Sequence, residues 1–289
     1  MAVRAEQITS PVAWHGEGPF WDDAGQRLLI VDMLAGAVVD LASFAHPRRY
    51  DVGSPVAAVI RRRGEGGFIV ATEHGFSLFD EDFARVERLP DLLDDPAIRL
   101  NEGGCDHTGR FYIGSMAYDS TPGAAALYRL DPDGSTHTVL TGVTISNGLQ
   151  WSLDGALAYY IDTPTRRVDV FDVDPSDGTL RDRRPLVRFG DDVAGSPDGM
   201  TIDSEGGIWV ALWGGGELRR FDPSGALTEV VEVPGVSHTS AAAFGGAELD
   251  TLYITSSRQH LPDDAEPEAG AVFAVRPGVR GVPLPSYAG

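Results

Sequence analysis

Short apolar runs, each broken by a turn rich in aspartate and glycine, recur along the whole chain, and almost no stretch carries apolar residues at helical spacing. Phe20-Trp21 passes through Asp22-Asp23-Ala24-Gly25 into Leu28-Leu29-Ile30-Val31, and Cys105 passes through Asp106-His107-Thr108-Gly109 into Phe111-Tyr112-Ile113. The same step leads from Trp151 through Ser152-Leu153-Asp154-Gly155 to Tyr159-Tyr160-Ile161, and from Ile202 through Asp203-Ser204-Glu205-Gly206 to Ile208-Trp209-Val210. Aspartate favours tight turns and glycine accepts positive φ, so these are predicted hairpins. Third strands follow at Leu127-Tyr128-Arg129-Leu130, Val168-Asp169-Val170-Phe171 and Leu218-Arg219-Arg220-Phe221. Two weaker units begin near Val56 and Ser240. A unit of roughly 40 to 50 residues that cannot cover both its faces alone must stack on copies of itself. The count predicts an all-β, six-bladed β-propeller forming a single domain over residues 1–289.

Superimposed on this pattern, five segments lead an apolar strand with a polar residue and a small-residue step: Glu17-Gly18-Pro19, Asn101-Glu102-Gly103, Asn147-Gly148-Leu149, Asp198-Gly199-Met200 and Thr239-Ser240-Ala241. If each is the innermost strand of a blade, the leading side chains meet at the axis. Buried carboxylates without partners are costly, and a cation resolves that cost. Glu17, Asn147 and Asp198 offer hard oxygens suited to calcium or magnesium rather than to a sulfur-preferring ion. The competing reading is that Asn147 and Asp198 cap turns by bonding nearby backbone.

Composition narrows the partners. Against 43 acidic residues stand 23 basic ones, all arginine, for a net charge of -20, which disfavours nucleic acid and anionic membrane surfaces. Cys105 is the only cysteine, so no internal disulfide or zinc–cysteine cluster forms, and its apolar strand makes it a packed thiol. No apolar run has the length of a signal core or a membrane span, so a cytoplasmic location is expected. No Gly-x-Ser-x-Gly elbow is present, and Asp172-Val173-Asp174-Pro175-Ser176-Asp177-Gly178 misses the helix-loop-helix calcium spacing, leaving it a turn. The histidines are scattered without zinc spacing. His15, His74 and His238 fall where loop ends overlook the axis, and His107 falls in a turn.

The same segments resemble the family of gluconolactonases and regucalcin, the senescence-marker proteins. The resemblance runs through Gly16-Glu17-Gly18-Pro19-Phe20-Trp21, Arg99-Leu100-Asn101-Glu102-Gly103-Gly104, Ile145-Ser146-Asn147-Gly148-Leu149, Pro197-Asp198-Gly199-Met200 and the closing Ser286-Tyr287-Ala288-Gly289, nearly the whole chain. It implies a six-bladed propeller, with Glu17, Asn147 and Asp198 as ligands of one divalent metal ion, calcium ahead of zinc, magnesium, manganese or iron. It further implies Asp198 as general base and Arg99, Asn101 and Asp119 as substrate contacts. Relatives commonly carry Glu where Asp119 stands and Lys where Gly104 stands, which leaves the substrate open.

The activity so implied is hydrolysis of a sugar lactone to its aldonic acid, with a small-molecule partner only. The alternatives are a calcium-binding regulatory protein of regucalcin type and a promiscuous phosphotriesterase or esterase on the same fold. The sequence does not decide which lactone is used, which metal is native or whether the chain oligomerises.

Overall fold

A computed structural model describes residues 3–289. Six antiparallel sheets stand around one axis, each ordered from an inner to an outer strand, as a β-propeller. The inner strands of blades 1 to 6 are Gly16–Asp22, Ala57–Arg62, Ile98–Cys105, Ser146–Trp151, Ser196–Ile202 and Thr239–Gly245. Second strands such as Arg27–Asp32, Phe111–Ala117, Leu157–Asp162 and Ile208–Trp213 are buried on both faces between neighbouring blades. They therefore read as unbroken apolar runs rather than as alternation. Trp209, Tyr112, Tyr160 and Phe68 are among the largest side chains fully removed from solvent there. Outer strands such as Val86–Arg88 and Leu180–Arg188 are mostly exposed and polar, and so left little imprint on the apolar pattern.

The ring is closed by the beginning of the chain. Glu6–Gln7 pairs antiparallel with Val272–Val275 and supplies the outermost strand of blade 6, while Val3–Arg4 pairs parallel with Leu227–Glu232 as a fifth strand of blade 5. At the other end, the C-terminal segment crosses the underside. Gly281 N–H donates to Leu249 O, Ser204 N–H to Arg280 O, Tyr287 N–H to Arg62 O and Ala288 N–H to Gly109 O. No helix among the described residues is long and apolar enough to cross a membrane.

One irregularity recurs in every blade. The pairing of inner with second strand slips between Glu17 and Phe20, Ala57 and Val59, Leu100 and Gly103, Asn147 and Leu149, Pro197 and Met200, and Thr239 and Ala242. Such a bulge bends the strand and re-aims the side chain beside it. The small residue next to it has a packing role, because neighbouring inner strands touch there. A Cβ on Gly148 would lie 2.8 Å from Met200 Cβ and 2.9 Å from Asp198 O, and one on Gly199 would lie 2.7 Å from Ser240 O.

Candidate metal centre

At the mouth of the axis, the starts of the inner strands and the ends of the second strands enclose a cavity of about 240 Å³. Glu17, Arg99, Asn101, Asn147 and Asp198 all line it, brought there by four inner strands, with Arg99 and Asn101 sharing one. Local anchors fix their approach. Asp32 Oδ1 accepts from the N–H groups of Trp14 and His15 at 3.0 Å, and Asp162 Oδ1 accepts from Ile145 N–H at 2.9 Å. Both carboxylates close second strands and hold the entry to the inner strand of the same blade.

Within the cavity the polar groups form a chain. Arg99 Nη1 donates to Asn101 Oδ1 at 2.6 Å and to Leu100 O at 3.1 Å, and Asn101 Nδ2 donates to Ser146 O at 2.7 Å and to Asn147 Oδ1 at 3.1 Å. Asn147 Nδ2 donates to Thr163 Oγ1 at 2.7 Å, and that hydroxyl donates to Pro197 O at 2.8 Å. The amide of Asn147 is thereby oriented, with its nitrogen on Thr163 and its oxygen accepting from Asn101. Its side chain does not bond back to its own turn, as a simple cap would.

The two carboxylates are treated differently. Gly18 N–H donates to Glu17 Oε2 at 3.3 Å, and the nearest basic group is the ring of His15, with Nε2 4.0 Å from Oε1. Burial drives His15 down to about 3, helped by repulsion from Arg99, so it is a neutral ring and no counter-ion. Its Nδ1 lies 2.7 Å from Ser257 Oγ. Neither Glu17 nor Asp198 is paired with an arginine among the described residues. Burial raises Glu17 well above the usual carboxylate range, reinforced by repulsion from Glu102. Burial raises Asp198 likewise, reinforced by Glu17 and then Glu102. Arg99 opposes both shifts without removing them.

These are the marks of a site lacking a positive charge, and two carboxylates with an amide oxygen are a fitting donor set for a hard divalent ion. No group of three His, Cys, Asp or Glu among the described residues converges as a metal cage without help. The third donor here is an amide.

Asp119 is placed elsewhere. Its exposed carboxylate accepts from Thr121 N–H at 3.0 Å and from Thr121 Oγ1 at 2.7 Å, while the next residue, Ser120, lines the cavity with φ of 57°. The same closed turn is made by Asp133 with Ser135, Asp174 with Ser176 and Asp222 with Ser224, which corrects the picture of Asp119 reaching into the pocket. Of the three histidines flagged near the axis, His15 lines the cavity. His74 sits half-buried beside Glu73, and His238 stacks on Trp213 at 4.3 Å without reaching the lining.

Trp213, His260, Gln259, Thr163 and Met116 also line the cavity and were not singled out from the sequence. A signal existed for three of them. Antiparallel register sets Trp213 opposite Ser196 and Met116 opposite Arg99, and Thr163 follows Asp162, the partner of Ser146.

The SMP-30/Gluconolactonase/LRE-like region matches residues 15–258. The chain belongs to this family. Regucalcin of Danio rerio is 36% identical over 295 residues, covering 100% of this chain and 99% of its own. A crystal structure described as a calcium-binding protein, regucalcin, from Agrobacterium tumefaciens superposes with a TM-score of 0.91 at 27% identity, covering 99% of each chain. A gluconolactonase from Xanthomonas campestris shares the fold, with a TM-score of 0.74 at 20% identity over 99% of this chain and 98% of its own. The SMP-30/gluconolactonase family thus includes relatives named for an activity and relatives named for calcium.

Proposed function

We propose that this protein hydrolyses a sugar lactone to the corresponding aldonic acid, using one divalent cation, calcium first, held by Glu17, Asn147 and Asp198. The observation that carries the reading is the pair of buried, uncompensated carboxylates at the base of a cavity whose walls present Arg99 and Asn101. When bound, the cation supplies Lewis acidity toward the lactone carbonyl oxygen and offsets the negative charge that grows there.

The chain's own groups do the rest. Arg99 and Asn101, already locked to each other, hold the oxygens of the ring and fix its angle to the attacking water. Asp198 accepts the proton of that water as the carbon–oxygen bond forms. Collapse of the tetrahedral species breaks the bond to the ring oxygen, which leaves as an alkoxide and takes a proton, so that one water is consumed and one hydroxy acid appears. No covalent enzyme intermediate is needed.

The test is base uptake in a pH-stat with a panel of aldonolactones, comparing chelated protein with protein resupplied with calcium, zinc, magnesium or manganese. Cation-dependent turnover above the spontaneous rate is expected. Equal rates with and without cation would sink the reading. The family's calcium-named members favour a second reading, a calcium-responsive protein without important catalysis. That reading predicts tight calcium binding with no lactone turnover, and a calcium-dependent partner.

A further inference from the structure

Glu102 stands where the other blades keep almost nothing. The residue after the leading position of each inner strand is Gly18, Ala58, Gly148, Gly199 and Ser240 in five blades, and Glu102 in blade 3. Adjacent strand residues ordinarily point to opposite faces. Here Asn101 and Glu102 together oppose the single residue Gly114, because pairing runs from Leu100 with Ser115 to Gly103 with Ile113. The bulge lets both side chains serve the axis.

The Oε2 atom of Glu102 is closed off from solvent and has no hydrogen-bond partner. Its charge bears on both Glu17 and Asp198. Among the described residues, the one cation that faces it is Arg61 of blade 2, whose Nη1 and Nη2 are committed to Ile60 O at 2.7 Å and Gly103 O at 2.9 Å. The guanidinium fits because position 104 is glycine, where a Cβ would come within 3.3 Å of Nη2.

We infer that Glu102 is a positioning residue of the cation site: a third inner-strand carboxylate, at the bulge beside Asn101, whose charge lets the axis favour a divalent ion, with Arg61 as the opposing weight. This rests on the cation reading above. A carboxylate oxygen closed off from solvent without a partner is otherwise a pure cost. A dication in front of it turns that cost into attraction. The two neighbours must then act with opposite sign on the same equilibrium, which a merely structural role would not produce.

The experiment is calorimetric titration of calcium into chelated protein, independent of turnover. E102Q, which keeps size and removes charge, is expected to weaken calcium binding by about 10- to 100-fold, the usual cost of losing an outer partner of a metal site. E102D, which keeps the charge, is expected to retain most of the affinity, and R61M to tighten binding. In chelator, E102Q is expected to melt no lower than the parent, since it removes a buried repulsion.

An E102Q affinity equal to the parent's overturns the inference, as does an E102D affinity as weak as that of E102Q. Should the parent bind no calcium, the cation reading itself falls and this inference with it. Should the parent bind calcium but hydrolyse no lactone, only the catalytic reading falls.

Discussion

The hydroxyl of Thr163 ties the two proposed ligand positions together, because it accepts from Asn147 and donates to the carbonyl of Pro197, the residue before Asp198. Thr163→Val keeps the volume and removes both bonds. Leaving a buried donor unsatisfied costs about 1–3 kcal/mol, so cation affinity is expected to fall by about tenfold with the fold intact, read by calcium titration and circular dichroism.

Protons compete for the same carboxylates. Burial holds Glu102 up at about 7 against an ordinary 4.5, with Arg61 and then the Met200 N–H pulling the other way. A folded state that keeps its proton longer than the unfolded one loses stability as pH rises through that window. His15 has the opposite sign. Burial depresses it from 6.5 to about 3, so its contribution is lost as pH falls below 6.5.

The carboxylate effect is therefore best read as a difference. The gap in Tm between calcium-supplied and chelated protein should widen as pH rises toward and through 7, by roughly 2–4 °C for each kcal/mol gained. A gap independent of pH would count against cation binding at this cluster. Glu17, Asn147 and Asp198 were legible in the sequence because they repeat in one register. Gln259 and His260 come from a turn that repeats nothing. Asp119 was expected at the substrate because a turn-closing aspartate and a substrate-contacting one look the same without coordinates.

At the scale of the strand, the bulge is the device that turns a sheet edge toward the axial cavity. Gly103 makes it possible in blade 3, since a Cβ there would lie 2.9 Å from Ile113 Cα and against the carbonyl of Tyr112. Backbone cannot step aside as a side-chain tip can. Gly103→Ala is expected to cost on the order of 3 kcal/mol, at the upper end for a single substitution, and to displace Asn101 with Glu102, lowering Tm and lactone turnover together. A Tm like that of the parent would show that the strand accommodates the methyl.

The inner and second strands were readable from sequence because both faces are buried. The outer strands, such as Arg48–Asp51 with its exposed arginines, were not, since an edge in water has no apolar alternation to betray it.

For the molecule as a whole, the C-terminal segment matters as much as the blades. It roofs the underside, where Cys105, Trp151 and Ile202, the last residues of three inner strands, surround a void of about 20 Å³ with Pro283 and Leu284. Burial pushes the Cys105 thiol up to about 12, so it is inert as folded. Removing residues 277–289 is expected to open this space, lower Tm and make Cys105 react with a thiol reagent, while the parent stays silent. Persistent silence in the truncated chain would mean that the blades alone seal the axis. The six-fold repeat was visible in the sequence from its turns. The closure was not, because Glu6–Gln7 is too short and polar to announce a strand.

That closure has a consequence for biosynthesis. Glu6–Gln7 emerges from the ribosome long before its neighbour Val272–Val275, so the sixth sheet can be completed only after the other five blades have been made. Until then the early strand waits without a mate, with a glutamate on its backbone edge to discourage adhesion to other nascent chains. A stalled translation product ending before Val272 should therefore lose its first residues to a protease that leaves the finished protein untouched.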